Sequence, residues 1–174
     1  AYLASALLAL AAVLAPLSSA RSQEPNPCGD SVLAVAALEL FPPAPLEKRL
    51  SALRIFGDCR TRMSVGAVTN AMSHDESPSV QTAAADALGR IGTPAAREAL
   101  GEYLRNGRVA PVRVHAQKAL ARLGEWPAVR ERLQDENEAP ALRVQALQLL
   151  AAGKQATDAE LAAWATHPSP DLSA

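Results

Sequence analysis

A self-similarity at a spacing of 32 residues constrains this chain more than any other feature. Val80, Ala84, Ala87, Leu88, Arg90, Ile91 and Gly92 recur as Val112, Ala116, Ala119, Leu120, Arg122, Leu123 and Gly124. A further step of 30 carries Arg113, Val114, Ala116 and Leu120 onto Arg143, Val144, Ala146 and Leu150, and Ala52, Leu53, Phe56 and Gly57 echo the first copy more loosely. A period of this length marks one supersecondary unit used again and again. Each unit has an apolar face that it cannot bury alone, so neighbours stack into a continuous core. Ala and Leu dominate the apolar fraction while aromatics make up 3% of the chain, which selects helices in close contact through small side chains over a sheet sandwich.

Proline and glycine then divide the chain into helices. Asp30 or Ser31 is placed to cap a first apolar helix ending near Leu40, and the prolines at 42, 43 and 45 stop it. Pairs of helices follow: 46–56 with 62–72, 79–91 with 94–104, 111–123 with 127–133, and 140–152 with 158–165. The first member of each pair is followed by Gly57, Gly92, Gly124 or Gly153. Such glycines are expected to take the left-handed conformation that ends a helix. Thr93-Pro94 supplies a cap with proline in the first turn, and Thr157 with Glu160 has the spacing of a capping box.

The first twenty residues stand apart. Residues 3–17 are an uncharged Ala/Leu run broken by Pro16, and Ser18 with Ala20 puts small residues where a signal peptidase needs them before Arg21. A secretory signal cleaved after Ala20 is favoured over an uncleaved anchor, although the run lacks the usual basic start. The expected division is a signal at 1–20, a linker at 21–29, the helical domain at 30–166 and a tail at 167–174. Cys28 and Cys59 form an even count behind an export signal, which predicts a disulfide across a loop of about 32 residues, worth roughly 3–4 kcal/mol by loop entropy. The alternative is two independent buried thiols. A metal site is disfavoured, since neither cysteine has a Cys or His at ligand spacing.

Catalytic signals are few. His74, His115 and His167 fall in different repeats, and His74-Asp75-Glu76 reads as a solvated polar turn sooner than as a metal site. No nucleophile elbow, phosphate-binding glycine loop or zinc-protease helix occurs, so no catalytic residue, metal or cofactor is expected. The 17 basic and 18 acidic residues nearly cancel, which gives nucleic acid or anionic lipid no general attraction. After signal cleavage no membrane association is expected either.

The second helix of each hairpin lines the concave face of a solenoid. On that ground Arg97, Glu98, Glu102 and Arg105, with Arg130, Glu131 and Arg132 one repeat later, are candidate contacts to a partner protein. Ordinary solvation of mixed charges is the competing reading. Tyr103 and Trp126 are sharper candidates because aromatics are scarce here and enriched in interface hot spots. Packing competes for both: Trp126 before Pro127 is placed to cover a hairpin turn, and Trp164 to seal the last helix.

The stretch from Pro78 through Val80, Ala84, Ala87-Leu88-Gly89-Arg90-Ile91-Gly92 to Thr93-Pro94, with Val112-Arg113-Val114-His115-Ala116 and Leu142-Arg143-Val144-Gln145-Ala146, resembles HEAT-like repeats of the phycobilisome-lyase type. The likeness covers about residues 45–165 and is sharpest in the two central copies. It implies an all-α, right-handed, armadillo-like α-solenoid of about four HEAT-like hairpins. Members of that family mostly bind proteins or act as scaffolds, and a minority attach or detach bilin chromophores. A dense acidic or histidine cluster to grip a tetrapyrrole is missing from this sequence, so the resemblance points to a non-catalytic protein-binding scaffold. A structural component of an envelope assembly is the next reading. Where the family places Val-Arg, Arg113 and Arg143 match and Gln81 departs, and the acidic residue usual before Val112 is missing. A regular acid/arginine ladder is therefore not expected.

Overall fold

The computed structural model describes residues 26–165. The expected signal at 1–20, most of the linker, His167 and the tail lie outside the described residues. Those described form nine α-helices and no strand: α1 (Asp30–Glu39), α2 (Leu46–Cys59), α3 (Val65–His74, entered through a 3-10 turn, Arg62–Ser64), α4 (Pro78–Ile91), α5 (Pro94–Asn106), α6 (Ala110–Arg122), α7 (Trp126–Gln134), α8 (Pro140–Ala152) and α9 (Asp158–Ala165). None is long and apolar enough to cross a membrane.

The helices stack as an α-solenoid with two layers. First helices α2, α4, α6 and α8 pack in succession, and second helices α3, α5 and α7 each pack on the first helix that follows. One repeated pattern explains both layers. Ala52, Ala84, Ala116 and Ala146 are fully buried at equivalent positions, small enough for neighbouring helix axes to approach closely, and Phe56, Leu88, Leu120 and Leu150 fill the space one turn later. In the second helices the same role falls to Val68 with Met72, Leu100 with Leu104, and Val129 with Leu133, all essentially inaccessible.

That pattern also settles α1. Ala36 and Leu40 are buried on the same 32-residue register as Val68 and Met72, and α1 packs on α2 as α3 packs on α4. α1 is therefore a second helix. The Cys28–Cys59 disulfide, with a Cα–Cα distance of 5.4 Å, ties its start to the end of α2.

Two expected glycine turns are corrected. Gly57 lies inside α2, equivalent to Gly89 rather than Gly92, and the residue that ends α2 in the left-handed region is Arg60, at φ 49°. Gly57 leaves room for a neighbour: the Arg90 guanidinium of α4 lies across it, 2.4 Å from where a Cβ would stand, and reaches Asp58 at 3.5 Å. At the end of α8, Gly153 has φ −79°, and Lys154 takes the left-handed turn at φ 55°. Gly153 instead accommodates the Trp126 ring, which would sit 2.4 Å from a Cβ there. Gly92 and Gly124 are left-handed as expected, at φ 64° and 79°.

Arginines on the first helices fasten the layers. Arg49 donates through Nη1 to both carboxylate oxygens of Asp75 at 2.7 Å, and both side chains are buried. Asp75 also accepts the Ser77 N–H at 2.8 Å, at the entry to α4. The turn expected to be solvated thus holds a buried ion pair. Two repeats on, Arg113 donates to Glu138 and, through Nε, to the Leu104 carbonyl at 2.8 Å, while Glu138 accepts the Ala139 N–H at 2.9 Å. In between, the arginine is replaced by Gln81 and the acid by Gly107, so both partners of that rung are missing together. Gln81 turns back and donates to the Asp75 carbonyl at 2.8 Å.

The buried apolar residues form two clusters. One runs from Ala36 to Leu120, and a smaller one holds Ala121, Val129, Leu133, Ala146 and Leu150 with Trp126 and Trp164 against it. Between them sits Gln117, fully buried where the equivalent residues are Leu53, Ala85 and Leu147, donating to the Leu142 carbonyl at 3.3 Å. Gln117 thus puts one polar side chain into the contact between α6 and α8.

Candidate binding face

The second helices α1, α3, α5 and α7 carry three grooves, one between each neighbouring pair. Between α1 and α3 the walls are Leu33, Ala34 and Ala37 on one side and Phe56, Met63 and Ala67 on the other, enclosing about 370 Å³. Between α3 and α5 lies a larger groove of about 720 Å³, walled by Thr69, Ser73 and His74 and by Ala99, Glu102, Tyr103 and the 106–109 turn. Between α5 and α7 a third, of about 380 Å³, is lined by Arg97, Glu98, Gly101, Arg105, Glu125 and Ala128. The series grades from apolar at α1 to charged at α7.

The middle groove owes its shape to the missing rung. Gly107 packs directly on Tyr103, whose ring would stand 2.3 Å from a Cβ there, so no acid can occupy that position while the tyrosine keeps its place. Burial raises the Tyr103 hydroxyl above its ordinary pKa, and a hydrogen bond with the Val109 backbone works against that rise. The tyrosine forms one wall of the groove.

Charges divide in the same way. Arg97 on α5 pairs with Glu125 at 2.7 Å and donates to the Gly92 carbonyl at 3.2 Å. On the same helix and the turn after it, Glu98, Glu102, Arg105 and Arg108 are exposed and have no ion-pair partner among the described residues. The α7 candidates are engaged inside the fold. Arg130 binds Glu160 and donates to the Gln155 carbonyl at 2.7 Å. Arg132 is buried among Glu131, Asp135 and Glu138. Trp126 packs in the second cluster, and Trp164 lies under the Arg143 guanidinium at 4.6 Å.

Sequence-predicted positions thus separate: Glu102 and Tyr103 meet in the middle groove, Arg97, Glu98 and Arg105 line the third, and Trp126, Arg130, Glu131 and Arg132 lie around the last hairpin. Met63, Ala67, Thr69, Ser73 and Arg108 were not singled out by sequence, and His74 was weighed there only as part of a polar turn or a metal site. The 32-residue register, extended backwards from α5 to α3 and α1, was the signal that places them. His115 binds Asp86 at 2.9 Å on the first-helix layer, and Arg122 donates to the same carboxylate at 3.0 Å, which ties α4 to α6. Among the described residues no three His, Cys, Asp or Glu side chains converge as a metal site requires.

A family model described as HEAT repeats matches residues 35–121. No curated protein matches the chain significantly.

Proposed function

As the chain belongs to the HEAT-repeat family, we propose that it is an exported, non-catalytic scaffold that holds another protein on the face built by α1, α3, α5 and α7. One observation carries this reading. Where the acid/arginine rung is missing, the chain puts Tyr103, Gly107 and two charges without an ion-pair partner among the described residues, Glu102 and Arg108, around the largest of the three grooves. Departures of this kind from a repeat's own rule collect where function makes demands that folding does not. The short hairpins and the Val112-Arg113 pair, with Leu142-Arg143 in the next copy, support the phycobilisome-lyase-type subclass within the family, taken here as a likeness of repeat form.

Export has separate support. The apolar run at 3–17 followed by Ser18 and Ala20 suits a signal at 1–20, and a disulfide suits an oxidising compartment, periplasmic or outside the cell. The linker, helical domain and tail then follow as 21–29, 30–166 and 167–174. Intact mass of the recovered protein, with and without reduction, tests this: a start at Arg21 and a gain of two hydrogens on reduction are expected.

The scaffold reading is tested by a photo-crosslinking amino acid placed at Glu102 or, as control, at the exposed Lys118 of α6. A discrete adduct with a second protein is expected from the groove position, reduced by Tyr103→Ala and missing at Lys118. Adducts of equal yield at both positions, or none at Glu102, refute the proposal.

A further inference from the structure

We infer that one extended polypeptide segment occupies two grooves at once, placing a bulky apolar side chain between α1 and α3 and a basic and an acidic side chain between α3 and α5. The inference rests on the scaffold reading and specifies the partner's chemistry. α3 walls both grooves, Ala67 on one side and Thr69 with Ser73 on the other.

The first groove is mainly apolar, with Asp30, Thr61 and Ser64 as its polar lining, and Met63, 96% exposed, belongs to its wall. A methionine in that position offers a soft, adaptable surface to an apolar group and gains nothing from water. The second groove presents Glu102 and Arg108, both exposed and without an ion-pair partner among the described residues, whereas Arg49 and Arg113 of the rungs on either side are paired within the fold. Charge complementarity therefore calls for a base facing Glu102 and an acid facing Arg108.

Spacing follows from helix geometry. The two grooves flank α3, which is roughly 10 Å across with its side chains, and the step from Ala67 to Ser73 advances about 9 Å along it. The diagonal of about 13 Å is covered by roughly four extended residues. An apolar anchor about four residues from an opposite-charge pair is the pattern that fits.

The probe is a displayed library of random peptides of about twelve residues, long enough when extended to cover both grooves, selected on the disulfide-bonded protein. Enriched peptides are expected to share that pattern. Fluorescence anisotropy with an enriched peptide is then expected to lose at least tenfold in affinity on Met63→Asp, an exposed substitution that thermal unfolding checks for an intact fold. Reselection on the Glu102→Arg/Arg108→Glu double variant is expected to reverse the charge order. If peptides bind and depend on Tyr103 but ignore Met63→Asp, the two-groove inference is overturned while the scaffold reading stands. If nothing is enriched, the two-groove inference falls, and the crosslink from Glu102 alone decides the scaffold reading.

Discussion

Replacing Glu138 by alanine removes the carboxylate that joins Arg113 to Arg132 at the boundary between the third and fourth hairpins. The Glu138 side chain is 3% exposed, and the arginines are 17% and 8% exposed, so neither guanidinium can turn to water without moving its helix. Deleting one member of a buried ion pair costs about 3–5 kcal/mol, because the partner keeps its desolvation penalty and loses its counter-charge. Arg132 retains Glu131 and Asp135, and Arg113 retains the Leu104 carbonyl, which holds the expected loss near the lower end, about 3 kcal/mol. For a domain of this size that corresponds to a fall in Tm of roughly 6–12 °C. Urea unfolding followed by far-UV circular dichroism gives the free energy, with Glu76→Ala as reference. Glu76 meets Arg49 at 3.4 Å, but its side chain is 76% exposed, so its loss is expected to cost about 0.5 kcal/mol or less. A Glu138→Ala loss below about 1 kcal/mol, no larger than the usual upper limit for a surface pair, refutes the reasoning.

Three further outcomes follow from the same geometry. Gly89→Ala puts a Cβ 2.7 Å from the Ala119 Cβ and is expected to cost about 1–3 kcal/mol, whereas Gly66→Ala, with open space around it, is expected to stabilise by about 0.5–1 kcal/mol; thermal unfolding distinguishes them. Glu160 is lowered from 4.5 to about 2, first by its bond to Arg130 and then by the Thr157 capping box, so its contribution is complete above pH 4.5 and is lost as pH falls toward 2. Carboxylate titration by NMR, with Arg130→Ala raising the pKa, checks that sign. Reducing the Cys28–Cys59 bridge is expected to lower stability by up to about 3–4 kcal/mol and to raise hydrogen exchange in α1 before the central helices.

Much of the fold could be read from particular residues. Ala84, Ala116 and Ala146 with Leu88, Leu120 and Leu150 announced both the period and the buried stripe, and Thr93 and Thr157 announced caps whose hydrogen bonds are present at 3.3 and 3.2 Å. Gly57 misled because a glycine near a helix end has two uses, freedom to adopt positive φ and room for a neighbour, and one sequence does not say which applies. The two rungs that do form could not be read, because their partners are 25 or 26 residues apart, Arg49 with Asp75 and Arg113 with Glu138, a separation that local patterns do not span.

By itself the sequence determined what depends on neighbours along the chain: the helices, their punctuation, the 32-residue period, and hence a stack. The tertiary structure alone decided which charges are spent inside the fold and which face outward. Arg132 and Glu102 look alike in a string of letters, yet one is buried among three carboxylates and the other stands free over a groove. The reason is physical: an ion pair forms through space, and only the stacking of successive repeats fixes which charges come within reach of one another.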